Sequence, residues 1–215
     1  MSALFALQSP DAPLPGAQAA TAAEPAEFLA VFLHGYGSDE RDLAGLAEYL
    51  PPTLPWASVR APLRLPGSGY SWYPLEVDFS PAEAIAEATD SLWEWVDANV
   101  DARTSLIPIG FSQGAMMASQ LLRTRPERIG ATVALSGYVS DAPRSADARL
   151  AQAPPRVFWG RGDQDPVIPA DLVESAGEWF AKHTAVQAHV YPGMGHSISG
   201  EELGDIRRFL DATLA

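Results

Sequence analysis

The chain contains no cysteine in its 215 residues. A disulfide framework, a thiolate metal site and a cysteine nucleophile are therefore excluded. Basic residues are also scarce, because 14 Lys and Arg stand against 27 Asp and Glu, a formal net charge of -13. Such an acidic protein is repelled by nucleic-acid phosphates and by anionic membrane surfaces, so we expect neither as a partner.

Long hydrophobic runs are missing as well. No stretch approaches the roughly 20 apolar residues that span a bilayer, and the apolar run at residues 3–7 is too short for the core of a signal peptide. We therefore expect a cytoplasmic protein without stable membrane insertion. The hydrophobic share of 47% is ordinary for a globular protein, and the length suits a single domain covering residues 1–215.

Two regions of the chain differ in pattern. In residues 1–27, the apolar run at 3–7 predicts a short edge strand. The stretch after it is rich in Ala and Pro and predicts an irregular arm. From Phe28 onward, short apolar runs alternate with helical patterns. The runs cover residues 28–33, 57–60, 106–109, 132–135, 156–159 and 189–191, and the helices are predicted at 39–50, 81–100, 113–123, 170–182 and 201–213.

Several of these runs are continuously apolar, which is typical of strands buried on both faces of a parallel sheet. Strands that alternate with helices predict a three-layer α/β fold with a mostly parallel central sheet. Pro108 does not fit this pattern, because a central strand is not expected to lack a backbone N–H.

The sequence Gly110-Phe111-Ser112-Gln113-Gly114 is the main chemical signal. It follows an apolar strand and precedes a helix rich in Ala, Met and Leu, which is the setting of a nucleophile elbow. Glycines are needed there because the tight turn brings backbone too close for side chains. Ser112 is therefore the candidate nucleophile, and a chemically inert Gly/Ser turn is the alternative.

A serine nucleophile needs a histidine base and a carboxylate that orients the base, in the chain order Ser, Asp or Glu, His. His196 follows the last predicted strand in a glycine-rich loop and is the expected base. We expect His183 to be solvated at a helix end and His189 to have a structural role in a strand. Asp163 and Asp165 both follow a strand end, and their spacing does not separate them.

Stabilisation of a tetrahedral oxyanion requires backbone N–H donors. Gln113, the residue after the nucleophile, is expected to supply one of them. The loop Leu33-His34-Gly35-Tyr36-Gly37 after an early strand is expected to supply the other. A plain strand-ending turn is the alternative for this loop.

Taken together, these segments resemble the phospholipase/carboxylesterase family of small α/β-hydrolases. Four blocks match in order, at residues 33–40, 110–115, 162–169 and 193–198. The resemblance implies that Asp165 is the catalytic acid and that the oxyanion donors are the amides of Tyr36 and Gln113. It also implies no cofactor, no metal and no large lid domain. The segment 138–154 departs from the family because it is a polar Ala/Arg stretch where a helix is usual.

The aromatic residues Tyr70, Trp72 and Tyr73 lie among glycines in a predicted loop above the sheet. With Val167 they are expected to bind the ester substrate, and surface anchoring or dimer contacts are the alternative. We expect a serine carboxylesterase, monomeric or homodimeric, that acts on a small-molecule ester of small to medium acyl chain. A thioesterase or lysophospholipase with the same triad and a non-catalytic ligand-binding protein are the other hypotheses.

Overall fold

A computed structural model describes residues 4–9, 26–75 and 81–215. Its main sheet has seven strands: β1 (Ala6–Gln8), β2 (Phe28–Leu33), β3 (Trp56–Val59), β6 (Ser105–Phe111), β7 (Thr132–Leu135), β8 (Arg156–Gly162) and β9 (Ala185–Tyr191). A small hairpin forms from β4 (Leu63–Arg64) and β5 (Tyr70–Ser71). The sheet order is β1-β3-β2-β6-β7-β8-β9. Only the edge strand β1 is antiparallel to its neighbour, so the predicted mostly parallel sheet is confirmed.

Helices cover both faces of this sheet. They are α1 (Ala82–Asn99), α2 (Gln113–Thr124), α3 (Asp147–Gln152), α4 (Ala170–His183) and α5 (Gly200–Leu214). Side chains along β2 alternate between two apolar clusters. Val31 belongs to the cluster that includes residues of α1, α2 and α4, and Phe32 belongs to the cluster that includes residues of α5. The three-layer α/β fold is thus confirmed, and no large lid is seen in the described residues.

The helix predicted at residues 39–50 is mostly wrong. Only a 3-10 helix at Ala44–Tyr49 forms there. The Asp39 carboxylate accepts the N–H of Arg41 at 2.8 Å, and the backbone of Ser38 pairs with Tyr70. These bonds hold the preceding residues in a turn, which competes with helix formation.

The absence of a helix from 138–154 is also wrong, because α3 forms there. Its Asp147 receives two hydrogen bonds from the Arg123 guanidinium, at 2.9 and 2.8 Å. Its Leu150 is buried in the core. A polar-looking segment therefore gains a helix from one ion pair and one apolar anchor.

Pro108 lies inside β6 and is paired in register with Val31 of β2. On the other side, the ladder to β7 begins only at Ile109. Pro108 thus precedes the first residue of β6 that pairs with β7. Its missing N–H is therefore tolerated inside this buried strand.

The edge strand predicted at residues 3–7 forms slightly later, at Ala6–Gln8. Residues 10–25, which contain most of the predicted arm, lie outside the described residues, as does Ser80 before α1.

Candidate active site

Ser112 occupies the sharp turn between β6 and α2. Its φ of 55° and ψ of -116° lie in a region that residues other than glycine rarely adopt. The N–H of Ser112 donates to the Leu135 carbonyl of the neighbouring strand at 2.9 Å. This backbone bond and the strained dihedrals are the features of a nucleophile elbow.

The two glycines of the motif are required by close backbone contacts. A Cβ on Gly110 would lie 2.1 Å from the Gly114 carbonyl oxygen, and one on Gly114 would lie 1.8 Å from the Leu33 carbonyl oxygen. Both distances are impossible for a real side chain. The elbow therefore packs directly against the end of β2, where the loop at residues 34–40 begins.

The side chains of His196 and Asp165 form a close hydrogen-bonded pair. His196 Nδ1 lies 2.7 Å from Asp165 Oδ2, and the two side chains are 16% and 8% exposed. The other oxygen of Asp165 accepts the N–H groups of Val167 at 2.8 Å and Ile168 at 3.3 Å. Both oxygens of the carboxylate thus accept hydrogen bonds, and these bonds fix it towards the imidazole.

Asp163 makes a different contact. Its Oδ1 accepts the N–H of Gly193 at 2.7 Å, which ties the turn after β8 to the loop that carries His196. The two aspartates that the spacing left unresolved therefore have distinct surroundings, and only Asp165 contacts the histidine.

The loop that carries His196 reaches the elbow through aromatic and backbone contacts. The ring of Phe111, the residue before Ser112, lies against the His196 imidazole with centroids 4.8 Å apart. Ser136, with a φ of 44°, places its hydroxyl 3.4 Å from the Ser197 carbonyl. No local sequence pattern around Ser136 indicates this support of the histidine loop, because the two residues lie 61 positions apart.

The loop after β2 is held by a buried, neutral histidine. Nδ1–H of His34 donates to the Gly35 carbonyl at 2.8 Å, and Nε2 accepts the N–H of Ala61 at 3.1 Å. Burial lowers the pKa of His34, which agrees with an imidazole that uses one nitrogen as donor and one as acceptor.

Two backbone N–H groups next to Ser112 have no acceptor. Within the described ranges, neither the Tyr36 N–H nor the Gln113 N–H donates a hydrogen bond. A Cβ on Gly35 would lie 3.5 Å from Ser112 Cβ, so the loop and the elbow touch. The two predicted donors thus belong to adjoining segments.

The side chain of Gln113 connects the elbow to the hairpin. Its Oε1 accepts the N–H of Trp72 at 2.9 Å, and its Nε2–H₂ donates to the Tyr73 carbonyl at 2.8 Å. The Trp72 indole N–H in turn donates to the His34 carbonyl at 2.9 Å. Sequence reasoning missed this network because it joins residues about 40 positions apart.

The aromatic residues predicted to bind substrate line a cavity of about 630 Å³. Tyr70 is partly exposed, whereas Trp72 and Tyr73 are 1% and 0% exposed and have a clear packing role. None of Ser112, Asp165 and His196 lines this cavity. A second cavity of about 500 Å³ borders Asp165.

Val167 is 47% exposed, and its backbone contact is with Asp165.

His189 stacks on Phe158 at 5.1 Å and lies 3.5 Å from Asp205, as expected for a structural residue. The expectation that His183 is solvated is wrong. Its ring is buried, stacks on Trp179 and hydrogen-bonds the Trp179 carbonyl, because the end of α4 packs against the protein rather than water.

The described residues contain neither a candidate metal site nor a membrane-spanning helix. Over residues 4–9, 26–75 and 81–215, no three His, Asp or Glu side chains cluster in a way that could hold a metal ion. In the same ranges, no helix has the length and apolar character required to cross a bilayer.

Comparisons with known proteins agree with this geometry. The phospholipase/carboxylesterase family model matches residues 15–214. The acyl-protein thioesterase 1 of Kluyveromyces lactis is 30% identical over 228 aligned positions, which cover 94% of this chain and 99% of that protein. The corresponding protein of Saccharomyces cerevisiae is 28% identical, with 93% and 99% covered.

Solved structures give the same result. The crystal structure of esterase PE8 superimposes with a TM-score of 0.75 at 28% identity, covering 99% of this chain and 100% of that one. The Bacillus cereus carboxylesterase has the same fold, with a TM-score of 0.76 at 20% identity and coverages of 98% and 94%. The chain is a hydrolase of the esterase or thioesterase type and belongs to the phospholipase/carboxylesterase family of α/β-hydrolases.

Proposed function

We propose that the chain is a serine carboxylesterase that cleaves carboxylic esters through an acyl-enzyme on Ser112. The observation that carries this proposal is the strained elbow of Ser112 at the same sheet edge as the His196–Asp165 pair. Ser112 is the nucleophile, His196 the general base and Asp165 the acid that orients it.

The hydrogen bonds assign the roles of the two imidazole nitrogens. Because Nδ1–H of His196 donates to Asp165, Nε2 is the nitrogen that takes the proton from Ser112 Oγ. The serine oxygen attacks the carbonyl carbon, and the Tyr36 and Gln113 amides stabilise the resulting oxyanion. Collapse breaks the ester bond, and His196 returns the proton to the leaving alcohol.

Deacylation repeats these steps with water. Nε2 takes a proton from a water molecule that attacks the acyl carbon, and the serine oxygen leaves with that proton. No cofactor or metal is required at any point. The cavity beside Tyr70 is the proposed site for part of the substrate. Its lining is mainly aromatic and aliphatic, with Arg60, Glu87 and Ser91 as the polar members, and this suits an apolar group of small to medium size.

Thioester hydrolysis is the second candidate. It is favoured by the similarity to the acyl-protein thioesterase 1 of Kluyveromyces lactis over 94% of the chain. The same triad would release a thiol instead of an alcohol. Comparison of p-nitrophenyl esters with thioesters of equal acyl length separates the two activities, since the enzyme prefers one class at matched chain length.

The test of the serine mechanism is labelling with a fluorophosphonate, read by intact mass and peptide mapping. We expect one label per chain, on Ser112, together with hydrolysis of p-nitrophenyl esters. Ser112→Ala should lose the label and nearly all turnover. Ser119→Ala is the matched control, because Ser119 is buried in α2, the helix that follows Ser112, and within the described residues its hydroxyl donates only to Met116.

The opposite result is equally informative. A folded wild-type protein that takes no label and hydrolyses neither ester nor thioester would contradict the proposal and favour a non-catalytic ligand-binding protein. Turnover retained by Ser112→Ala would reject Ser112 as the nucleophile.

A further inference from the structure

An ion pair lies at the far end of the loop that carries Tyr36. Arg60 Nε and Nη2 each donate to a carboxylate oxygen of Glu40, both at 2.6 Å. The Glu40 side chain is only 2% exposed and that of Arg60 is 28% exposed. A bidentate pair of this kind fixes direction as well as distance.

The guanidinium of Arg60 is also held between two aromatic rings. It lies 4.7 Å from the ring centroid of Phe5 and 4.8 Å from that of Tyr70. The backbone N–H of Arg60 donates to the Phe5 carbonyl at 2.8 Å. Arg60 thus connects three separate segments: the residue before edge strand β1, the hairpin strand β5 and the loop after β2.

The same loop is fixed by backbone bonds at its middle. The N–H of Gly37 donates to the Tyr70 carbonyl at 2.9 Å, and the N–H of Tyr70 donates to the Ser38 carbonyl at 2.7 Å. Tyr70 therefore supports the loop through its backbone and holds Arg60 through its ring. Between these fixed points and His34 lies Tyr36, whose N–H has no acceptor in the described chain.

From this arrangement we propose that Glu40 and Arg60 are a positioning pair that holds the Tyr36 N–H in place for the oxyanion. The inference rests on the proposed serine mechanism. Arg60 also borders the cavity beside Tyr70, whereas Glu40 does not, so the positioning role is assigned to the contact between them and is tested through Glu40. Removal of the Glu40 charge leaves Arg60 without its fixed partner and frees the end of the loop to rotate.

The burial of Glu40 fits a geometric role. Removing a carboxylate from water is costly, and a buried ion pair often adds little net stability over an apolar replacement. What the pair does supply is a defined geometry between segments 20 residues apart in the chain. The hydrogen bond from Arg60 lowers the pKa of Glu40, so the carboxylate stays charged at neutral pH.

The test compares Glu40→Gln, which keeps the size of the side chain, with the wild type. We expect kcat for p-nitrophenyl acetate to fall about ten- to a hundredfold, since a misplacement of about 1 Å can cost a hundredfold. KM should stay within about twofold. The rate of phosphonylation of Ser112 should fall by the same factor as kcat, because that reaction uses the same oxyanion donors.

The matched control is Asp147→Asn. Asp147 also forms a bidentate pair with a buried arginine, Arg123, but it does so at the far end of α2. This variant should lose stability to a similar extent and keep kcat within about twofold. A double-mutant cycle adds a second criterion: Glu40→Gln combined with Arg60→Met should be no slower than the worse single variant, because both changes break one contact.

The outcomes separate this inference from the proposed function. A wild-type protein that takes no label on Ser112 contradicts the serine mechanism itself. A labelled wild type whose Glu40→Gln variant is folded and has unchanged kcat and labelling rate overturns the positioning role alone. Equal losses of kcat in Glu40→Gln and Asp147→Asn would also overturn it, because they would indicate a general effect of stability.

Discussion

Gly114→Ala is the change for which the structure makes the sharpest prediction. Gly114 is the second residue of α2, where alanine is normally the better helix former. Its added Cβ, however, would lie 1.8 Å from the Leu33 carbonyl oxygen and 2.8 Å from that of His34. Both oxygens belong to the backbone at the end of a buried central strand. Unlike the tip of a flexible side chain, they cannot move aside.

The size of the effect follows from the overlap. To bring the new Cβ to an ordinary carbon–oxygen distance of about 3.2 Å, α2 and β2 must move apart by more than 1 Å. Overpacking of this kind costs about 1–3 kcal/mol of unfolding free energy, or more when backbone must move. The shift would also separate Ser112 from the loop that carries Tyr36, and we expect kcat to fall by about a hundredfold or more.

The assay measures urea unfolding and hydrolysis of p-nitrophenyl acetate. Gly204→Ala is the matched control, because Gly204 lies in the interior of α5 and the nearest atom to its Cβ would be the Arg208 side chain at 3.6 Å. That substitution should stabilise the protein by about 0.5–1 kcal/mol and leave kcat unchanged. A Gly114→Ala protein with wild-type stability and turnover would refute the argument.

Two further predictions concern carboxylates. Asp165→Asn should lower kcat about a thousand- to ten-thousandfold with little change in unfolding free energy, because the imidazole loses its orienting partner; a loss below tenfold in a folded protein would contradict it. Burial raises the pKa of Glu202 from its ordinary 4.5 to about 7. The protonated form of this group therefore favours the folded state. The stability that it contributes is lost as pH rises from about 4.5 to 7. Glu202→Gln should therefore be more stable than the wild type at pH 8, by up to roughly 3 kcal/mol. It should also reduce the difference in urea midpoint between pH 5 and pH 8. An unchanged difference would show that Glu202 is not the titrating group.

The strands that the sequence predicted best are those buried on both faces. The bounds of β2 and β7 were predicted without error, because their residues are apolar apart from Thr132 and both strands are followed by a polar residue, His34 or Ser136. The edge strand β9 was predicted only at residues 189–191 and forms over 185–191. Most of its side chains are exposed or partly exposed, so its pattern is weaker than that of a central strand.

The site was predictable to the extent that its residues lie in local motifs. The turn of Ser112 requires glycines at fixed offsets, and such requirements are visible in the sequence. Whether Asp163 or Asp165 faces the histidine depends on how the loop after β9 folds over the sheet, which spacing does not encode. The Glu40–Arg60 pair is likewise a long-range contact between residues of no special local pattern.

The geometry of the elbow depends mainly on backbone atoms, whereas the cavity depends on side chains. The strain at Ser112, its bond to Leu135 and the contacts around Gly114 need only glycines and a parallel sheet, so they tolerate wide divergence elsewhere. Two solved structures at 28% and 20% identity superimpose on this chain with TM-scores of 0.75 and 0.76, which agrees with this tolerance. The lining of the cavity beside Tyr70 carries no such backbone constraint, so the reaction type is more transferable between relatives than acyl preference is. On the proposed placement of the substrate beside Tyr70, acyl preference in this chain follows from its own hairpin and edge strand rather than from the names of its relatives.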